Sequence, residues 1–496
     1  MRIPRLLPLI ALSALLMLGC RKDELFTDDP GARLTLSVDT VMFDTIFTSP
    51  PTFPVPSVTK RFTVHNRNSN AVRVDVTLQG GSPSPFRINV DGASGLSFSD
   101  VEILGGDSMY VFVEATLDQN NASNPLVIED HIVFNTNGNE QKVLLVAWGQ
   151  DAHFFRPDRT FSNIAYSIIA GLDETGNSIC ETVEWVNDKP YVLYGYGVVD
   201  SCSTLIIQPG VRVYLHGGSG LWVYRYGRIL AQGTVEEPIT FQSDRLEPYY
   251  ADLPGQWDRI WVMEGDQENR FENCTIKNAL VGLQCETAPW LPQQPTSENR
   301  VLLSNVSIHN SSAAGLLTRN YRVTSSNLLV TNAGQYCVAL TGGGEYHFNH
   351  TTVANYWSYD IRQEPAFYLS NLVGTIAGTQ IREIANSEFR NGIIYGNNGN
   401  EFRMELDGSA TTDFIFTNHL FRTDQATNDP VHFPDQGSIW RNQNPGFVDP
   451  GSGNYHLLEN AFARNKGAFS DDIFDLDGIL RSDGQPDLGC YEWYPQ

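Results

Sequence analysis

Short segments in which apolar and polar residues alternate fill the first part of the chain. A period of two places successive side chains on opposite faces of a strand, and a cluster of turn-forming residues separates each segment from the next. About seven such strands with regular turns predict an antiparallel β-sandwich of immunoglobulin type. The clearest segments are residues 61–65, 72–76, 101–104, 109–113, 131–134 and 142–146.

The pattern changes from residue 273 onward, where a short segment bounded by two asparagines occurs five times. The leading asparagines at 305, 327 and 349 are spaced by 22 and 22 residues, and the longer intervals on either side fit one period plus a loop. A period near 22 residues predicts a β-solenoid, in which asparagines hydrogen-bond along a column and an apolar residue of each segment, the fifth being Phe389, points inward. The bounding asparagines are Asn273 and Asn278, Asn305 and Asn310, Asn327 and Asn332, Asn349 and Asn355, and Asn386 and Asn391.

Two family resemblances support this reading. The sequence FTVHNRNSNAVRVDVTL at 62–78 resembles the hydin-like immunoglobulin-fold modules of exported bacterial proteins. LIIQPGVRV at 205–213, PGQWDRIW at 254–261 and PDLGCYE at 486–492 resemble right-handed parallel β-helix proteins of the pectate-lyase-like group, over about residues 190–495. The implied organisation is a signal peptide at 1–20, a linker at 21–32, a β-sandwich at 33–152, a connecting or capping segment at 153–189, and a β-helix with its closing segment at 190–496.

The N-terminal residues predict an export signal. Arg2 and Arg5 precede an apolar stretch at 6–18, which has the length of a signal peptide and is shorter than a membrane span. Cys20 directly follows, which resembles the lipobox of bacterial lipoproteins, where the cysteine thiol receives a diacylglycerol. The charged residues 22–24 resemble a surface-export signal. We therefore expect a protein lipid-anchored in the outer membrane and exposed at the cell surface.

Charge and cysteine content limit the kinds of partner and cofactor that the sequence predicts. With 33 Lys and Arg against 57 Asp and Glu, the formal net charge is -24, which disfavours nucleic acid as a partner. The six cysteines beyond Cys20 show no CxxC spacing, so we predict no metal site. Cys180 and Cys202 flank one short β segment and form the best candidate disulfide. We expect no cofactor, except Ca²⁺ if the protein is a lyase.

Candidate chemistry concentrates at residues 244–266, where charged and aromatic residues are interleaved. Carboxylates with an Arg fit lyase or glycosidase chemistry, and sugars stack on aromatic rings. The alternative is that the tryptophans fill the interior while the charges are solvated. The catalytic candidates are Asp244, Arg245, Asp258, Arg259 and Glu264, and the ligand-binding candidates are Tyr249, Tyr250, Trp257 and Trp261.

Two functions remain open from the sequence. The first is a non-enzymatic surface lipoprotein whose β-helix presents a rigid face to glycan or another envelope component. The second is a polysaccharide lyase or glycoside hydrolase acting on extracellular polysaccharide. The fold resemblance does not decide between them, because function depends on the site that a fold carries.

Overall fold

Strands account for nearly all of the regular structure. A computed structural model describes residues 25–48, 57–118, 126–173, 175–287, 295–375, 378–481 and 484–495. The chain divides into two units, Met1–Asp151 and Ala152–Gln496. Within the described residues the helices are three short 3-10 turns, so the predicted all-β class is confirmed.

The first unit is an immunoglobulin-like β-sandwich, as predicted. Its two five-stranded sheets have the strand orders β1-β3-β8-β5-β6 and β2-β10-β9-β4-β7. All strand pairs are antiparallel except β2 with β10. The strands are β1 (Thr35–Leu36), β2 (Thr40–Phe47), β3 (Val58–His65), β4 (Val72–Leu78), β5 (Phe86–Val90), β6 (Ala93–Gly95), β7 (Ser97–Ile103), β8 (Ser108–Ala115), β9 (Leu126–Thr136) and β10 (Asn139–Gln150).

Alternation in the sequence produces the core of this sandwich. In β4 every second residue is buried, from Val72 to Leu78, while the residues between them are exposed. Phe43 of one sheet contacts Phe86 of the other at a ring-centroid distance of 5.8 Å. Each fully buried side chain of this size contributes roughly 1.5–3 kcal/mol. The inward-facing residues therefore hold the two sheets together.

The second unit contains a 23-stranded sheet, and two further two-stranded sheets. Its strands are β11 (His153–Phe155), β12 (Arg159–Phe161), β13 (Ile164–Ala170), β14 (Thr182–Trp185), β15 (Tyr191–Leu193), β16 (Tyr196–Val199), β17 (Thr204–Ile207), β18 (Arg212–Leu215), β19 (Gly220–Val223), β20 (Arg228–Gln232), β21 (Ile239–Ser243), β22 (Trp257–Met263), β23 (Asn269–Lys277), β24 (Ala279–Glu286), β25 (Arg300–Ser311), β26 (Ala314–Ala333), β27 (Tyr336–Asn349), β28 (Thr352–Asn355), β29 (Phe367–Ser370), β30 (Leu372–Thr375), β31 (Gly378–Ile381), β32 (Ile384–Gly396), β33 (Phe402–Glu405), β34 (Thr412–Phe421), β35 (Ile439–Arg441), β36 (Phe447–Asp449) and β37 (Asn454–Leu457). The 3-10 turns are η1 (Pro248–Tyr250), η2 (Gln436–Ser438) and η3 (Pro450–Ser452).

Parallel pairing dominates the large sheet. Thr182 lies opposite Thr204, and Val306 lies opposite Leu328, each 22 residues further along the chain. Longer offsets occur where loops are inserted, as between Cys274 and Val306. Residues 153–189, predicted as a connecting segment, contribute β11 to β14 to this sheet.

Buried apolar side chains form one continuous cluster through the second unit, from Ile169 to Phe433. Equivalent positions of paired strands stack on one another. Phe348, Phe389 and Phe416 lie in register, and the rings of Phe389 and Phe416 stack at 4.4 Å. Outward-facing residues of the same strands are consequently free to build surface sites.

Candidate functional site

The charged residues predicted at 244–266 are engaged in separate pairs. Asp244 accepts a hydrogen bond from His216 at 2.7 Å, and this bond raises the pKa of His216. Arg245 pairs with Glu247 at 2.9 Å. Glu264 forms an ion pair with Arg225. Each of these charged side chains is therefore neutralised or hydrogen-bonded by a partner of its own, and the three pairs do not form one cluster.

Asp258 and Arg259 belong to a further network on the outer face of β22. The Tyr196 hydroxyl donates to Asp258, and Arg259 donates to Asp258 at 2.8 Å and to Gln284. Burial, followed by the hydrogen bond to Asp258, raises the pKa of Tyr196. Because Asp258 already accepts from two neighbours, its carboxylate is held as a structural acceptor.

The aromatic residues of the same stretch do not form one surface. Trp257 is only 1% exposed, and its indole N–H donates to the Lys277 carbonyl at 2.8 Å. Its prediction as a ligand-binding residue is therefore wrong, because Trp257 faces the interior. Trp261 stacks on Trp222 at 4.8 Å on the opposite face of β22, because the register shift between Arg259 and Ile260 interrupts the alternation of the strand. Tyr249 is 74% exposed, and Tyr250 lies under the Arg245 guanidinium.

The leading asparagines form a hydrogen-bonded column, which we call the asparagine column. Asn305 donates to Asn273 at 3.2 Å, and Asn327 donates to Asn305 at 2.9 Å. Strand register continues the column through His350 and Asn391. All of these residues have positive φ angles, which asparagine tolerates better than most residues. The column therefore lies at a recurring turn.

This register corrects the predicted alignment at its fourth and fifth members. Asn349 lies one residue before the column, and Asn386 lies five residues before it. Val353 pairs with Ile394, so Ile394 rather than Phe389 is its counterpart in the interior. The fourth segment is offset because β27 has one more residue than β26 where the register shifts between Arg319 and Tyr321. The fifth is offset because the residues inserted between β28 and β32 conceal the true register.

Residues 466–474, here called the C-terminal strap, run along the asparagine column. Asn391 donates to the Ala468 carbonyl at 3.0 Å and accepts from its N–H at 2.7 Å. Asn327 donates to the Phe474 carbonyl at 2.8 Å, and Asn349 donates to Asp472 at 2.6 Å. The asparagines thus bind a distant part of the chain as well as each other.

The closing asparagines of the repeats organise a second region. Asn278 donates to the Leu253 carbonyl at 2.9 Å, and Asn310 donates to the Asp252 carboxylate at 3.3 Å. Asn355 donates to the Ala333 carbonyl at 2.9 Å. Two of these asparagines therefore hold the loop that follows η1 against the sheet.

A cavity of about 530 Å³, here called the tyrosine cavity, opens beside that loop. Its floor is the outer face of β23, β25 and β26, where Thr275 lies opposite Ser307 and Ser307 opposite Leu329. His309 and Thr331 form the adjacent row. Three neighbouring strands span about 10 Å, so the floor extends over several repeats.

Aromatic side chains form the walls of the tyrosine cavity. The loop after β28 contributes Tyr356, Trp357 and Tyr359, with the rings of Trp357 and Tyr359 4.9 Å apart. Tyr455, whose ring lies 6.1 Å from that of Tyr356, and Tyr491 come from the C-terminal region. Flat rings beside a polar floor are an arrangement suited to a sugar ring.

A buried ion pair anchors the loop after β28, here called the wall loop. Arg362 donates to both carboxylate oxygens of Glu401, at 2.5 and 2.7 Å. Glu401 also accepts from the N–H groups of Ala366 and Asn398, at 2.9 and 2.7 Å. At the other side of the loop, the Tyr359 hydroxyl donates to the Asp252 carbonyl at 2.8 Å. The loop is thus fixed at several points.

The tyrosine cavity is nearly uncharged. Among the described residues that line it, Asp252 is the only one that is charged at neutral pH. Burial, assisted by Lys277, lowers the pKa of His309 to about 4, so its imidazole is neutral near pH 7. Burial raises the pKa of Tyr356 to about 12, so its hydroxyl keeps its proton.

Several polar groups of the floor are available to a ligand. The side chains of Thr275, Ser307 and His309 make no hydrogen bond to another described residue. A hydroxyl both donates and accepts, and neutral imidazole does the same through its two nitrogens. The floor therefore offers mixed donors and acceptors, which is the pattern that sugar hydroxyls require.

Of the residues that line the tyrosine cavity, Asp252 lies within the stretch 244–266 that the sequence indicates, and the others lie outside that stretch. The available signal was the run Tyr356-Trp357-Ser358-Tyr359, which follows the repeat asparagine Asn355 directly. Three aromatic residues at an expected turn are unusual for a purely structural connection, because turns are normally built from small and polar residues.

The structure joins Cys180 and Cys202, the pair predicted from the sequence, with Cα atoms 5.1 Å apart. The described cysteines outside this disulfide, Cys274, Cys285, Cys337 and Cys490, are buried. Burial raises the pKa of each of these thiols. They behave as small apolar residues of the interior.

Three further predictions concern the lipid anchor, metal binding and membrane-spanning segments. Cys20 lies outside the described residues. Across the described ranges, no group of three or more His, Cys, Asp or Glu side chains is placed to hold a metal ion. In the same part of the chain, no helix is long and apolar enough to span a bilayer.

Comparison with known proteins gives distant likenesses only. No protein-family model and no curated protein match the chain. The CooA pilin subunit from enterotoxigenic Escherichia coli is 12% identical, covering 24% of this chain and 96% of its own, with a TM-score of 0.18. The ASH/PapD-like domain of human CEP192 is 9% identical, covering 27% and 94%, with a TM-score of 0.17.

A family 123 glycoside hydrolase from Clostridium perfringens is 9% identical, with a TM-score of 0.16. The alignment covers 23% of this chain, which spans about a quarter of the length of that hydrolase. At these scores the strand pairing itself, rather than any neighbour, defines the fold.

Proposed function

We propose that the protein is a lipid-anchored lipoprotein of the outer cell surface that binds glycan in the tyrosine cavity without cleaving it. The observation that carries this proposal is the cavity itself, in which aromatic walls face a floor whose Thr275, Ser307 and His309 side chains have no hydrogen-bond partner among the described residues. Ligand sites of this size commonly combine apolar contact with a few orienting polar groups.

The finer architecture in this proposal is a right-handed parallel β-helix in the second unit. Parallel pairing at offsets near 22 residues, the stacked interior rings and the asparagine column support it. Parallel strands joined by crossovers in one sheet are almost always connected with right-handed chirality. A β-helix would present the cavity on a rigid outer face.

A binding role is favoured over catalysis by the state of the carboxylates. Inverting and retaining glycosidases both require a pair of carboxyl groups flanking the scissile bond. Asp244, Asp258 and Glu264 each pair with a neighbouring side chain, and Asp252 is the single carboxylate among the described residues that line the tyrosine cavity. The arrangement supports recognition of a sugar rather than acid–base chemistry on it.

Affinity electrophoresis of the full-length protein in detergent, through gels containing neutral or acidic polysaccharides, tests the binding proposal. We expect retardation by at least one polysaccharide and loss of about tenfold or more in affinity for Tyr359→Ala, because an aromatic contact is removed. Tyr110→Ala is the matched control, since Tyr359 and Tyr110 are 49% and 52% exposed and Tyr110 lies in the other unit.

Two outcomes would contradict the proposed function. If no polysaccharide retards the protein, the proposed glycan binding is wrong. Release of reducing or unsaturated ends during incubation, abolished by Asp252→Asn or Asp258→Asn, would replace binding with hydrolase or lyase activity.

The anchor is tested separately by Cys20→Ser. Removal of the thiol prevents attachment of the lipid chains, each of whose buried methylenes contributes roughly 0.8 kcal/mol to membrane binding. We expect this variant in the soluble fraction, and we expect the unaltered protein to be cleaved when intact cells are treated with protease. A Cys20→Ser protein that stays in the membrane pellet contradicts the assignment.

A further inference from the structure

The charge distribution around the tyrosine cavity indicates which glycans it accepts. The chain carries an excess of acidic residues, with 57 Asp and Glu against 33 Lys and Arg. Among the described lining residues there is one carboxylate, Asp252, and no Lys or Arg. Both the local and the overall field therefore oppose an anion.

Recognition of anionic sugars requires groups that the cavity does not offer. Carboxylate, sulfate and phosphate groups are bound through charge-assisted hydrogen bonds, most often from Arg or Lys. The nearby ammonium of Lys277 lies within 3.5 Å of the Ala251 carbonyl, in the loop beside the cavity. His309 does not substitute for a cation, because burial lowers its pKa to about 4.

We propose that the tyrosine cavity selects uncharged glycan segments over uronate-, sulfate- or phosphate-bearing ones, and that Asp252 is the specificity-determining residue. This inference rests on the proposed glycan binding. Thr275, Ser307 and His309 supply neutral donors and acceptors, and Tyr359 supplies a ring face. The Asp252 carboxylate accepts from Asn310 at 3.3 Å, so it is held at the cavity and repels an incoming anion.

Matched ligand pairs test the selectivity. Calorimetric titration of the full-length protein in detergent would use neutral gluco-, xylo- and galacto-oligosaccharides, and the glucuronate or galacturonate counterparts of the gluco and galacto backbones. For a backbone that binds, we expect the neutral member to bind at least about tenfold tighter. The preference should persist in 0.5 M salt, where long-range fields are screened and only contacts within the cavity act.

Substitution separates the cavity from the general charge of the protein. Asp252→Asn is expected to reduce the preference to within about threefold, because the amide keeps a similar shape without the charge. Asp266→Asn makes the same change of net charge at an exposed residue outside the cavity, and it should leave the preference unchanged.

The possible results are distinguishable. Equal or tighter binding of the uronate members overturns the selectivity while leaving glycan binding in place. A preference that survives Asp252→Asn, or that Asp266→Asn relaxes equally, overturns the role of Asp252. Absence of binding to every neutral and acidic member refutes the proposed function and this inference with it.

Discussion

Replacing Glu401 with leucine tests whether one buried ion pair positions the wall loop of the tyrosine cavity. Glu401 is fully buried, and Arg362, which binds it through two hydrogen bonds, is 8% exposed. The substitution removes the carboxylate but leaves the guanidinium in the interior. It also removes the acceptor for the N–H groups of Ala366 and Asn398.

The expected cost follows from these contacts. Removing one partner of a buried pair typically destabilises a protein by about 3–5 kcal/mol, because the remaining charge is uncompensated. In the double variant Arg362→Leu, Glu401→Leu no unpaired charge remains in the interior, although the N–H groups of Ala366 and Asn398 still lack their acceptor. We therefore expect the double variant to be more stable than Glu401→Leu by about 2 kcal/mol or more.

Urea unfolding followed by tryptophan fluorescence provides the assay. Eight of the nine tryptophans lie in the second unit, so the signal reports mainly on the unit that contains Glu401. Glu401→Leu should also lose glycan retardation, since Trp357 and Tyr359 belong to the released loop. A cost below about 1 kcal/mol, or a double variant no more stable than the single one, would refute the reasoning.

Three further results are expected. Burial lowers the pKa of His419 from 6.5 to about 4, so the folded state resists protonation and stability falls as pH decreases from 6.5 toward 4. In His419→Gln the urea midpoint of unfolding should therefore change less steeply with pH over that range. Cys180→Ser opens a disulfide with a sequence separation of 22 and should lower the unfolding free energy of the second unit by about 3 kcal/mol. Cys202→Ser should have the same effect, and adding a reductant to either variant should cause no further loss of stability. Gly489→Ala places a methyl 2.4 Å from the Thr352 hydroxyl at a φ of 87°, so limited proteolysis should cut the C-terminal region faster than in the unaltered protein, and unchanged cleavage would contradict the tight packing.

Much of the fold follows from local patterns in the sequence. In β4 the alternation of Val with polar residues matches the observed burial at every position, because a strand in a sandwich has one interior face. The sequence also predicts the register of the first three repeats, with leading asparagines at 273, 305 and 327, because their spacing is regular or broken by one recognisable loop. The fourth and fifth were misaligned, because strand hydrogen bonding, not the nearest asparagine, sets the register.

The tyrosine cavity was mostly beyond sequence reasoning for a different reason. Its lining comes from the loop at Asp252, the floor strands, the loop at Tyr356 and the C-terminal residues Tyr455 and Tyr491. Each contribution is short and ordinary on its own. Conversely, the dense charged stretch at 244–266 resembles a site in the sequence, yet its ion pairs are mostly local, as between Arg245 and Glu247. Proximity in sequence was a poor guide to a site assembled across repeats.

The C-terminal strap has a consequence for how this protein tolerates change in length. Strand register places Asn418 after Asn391 in the asparagine column. Lys466, Ala468 and Ser470 contact Asn418, Asn391 and His350, so alternate residues in this part of the strap match successive members of the column. Deleting or duplicating one whole repeat would preserve strand pairing on either side but shift every strap contact beyond it. The strap contacts therefore fit only one number of repeats. The tyrosine cavity depends on the same number, because its walls include residues from the C-terminal region.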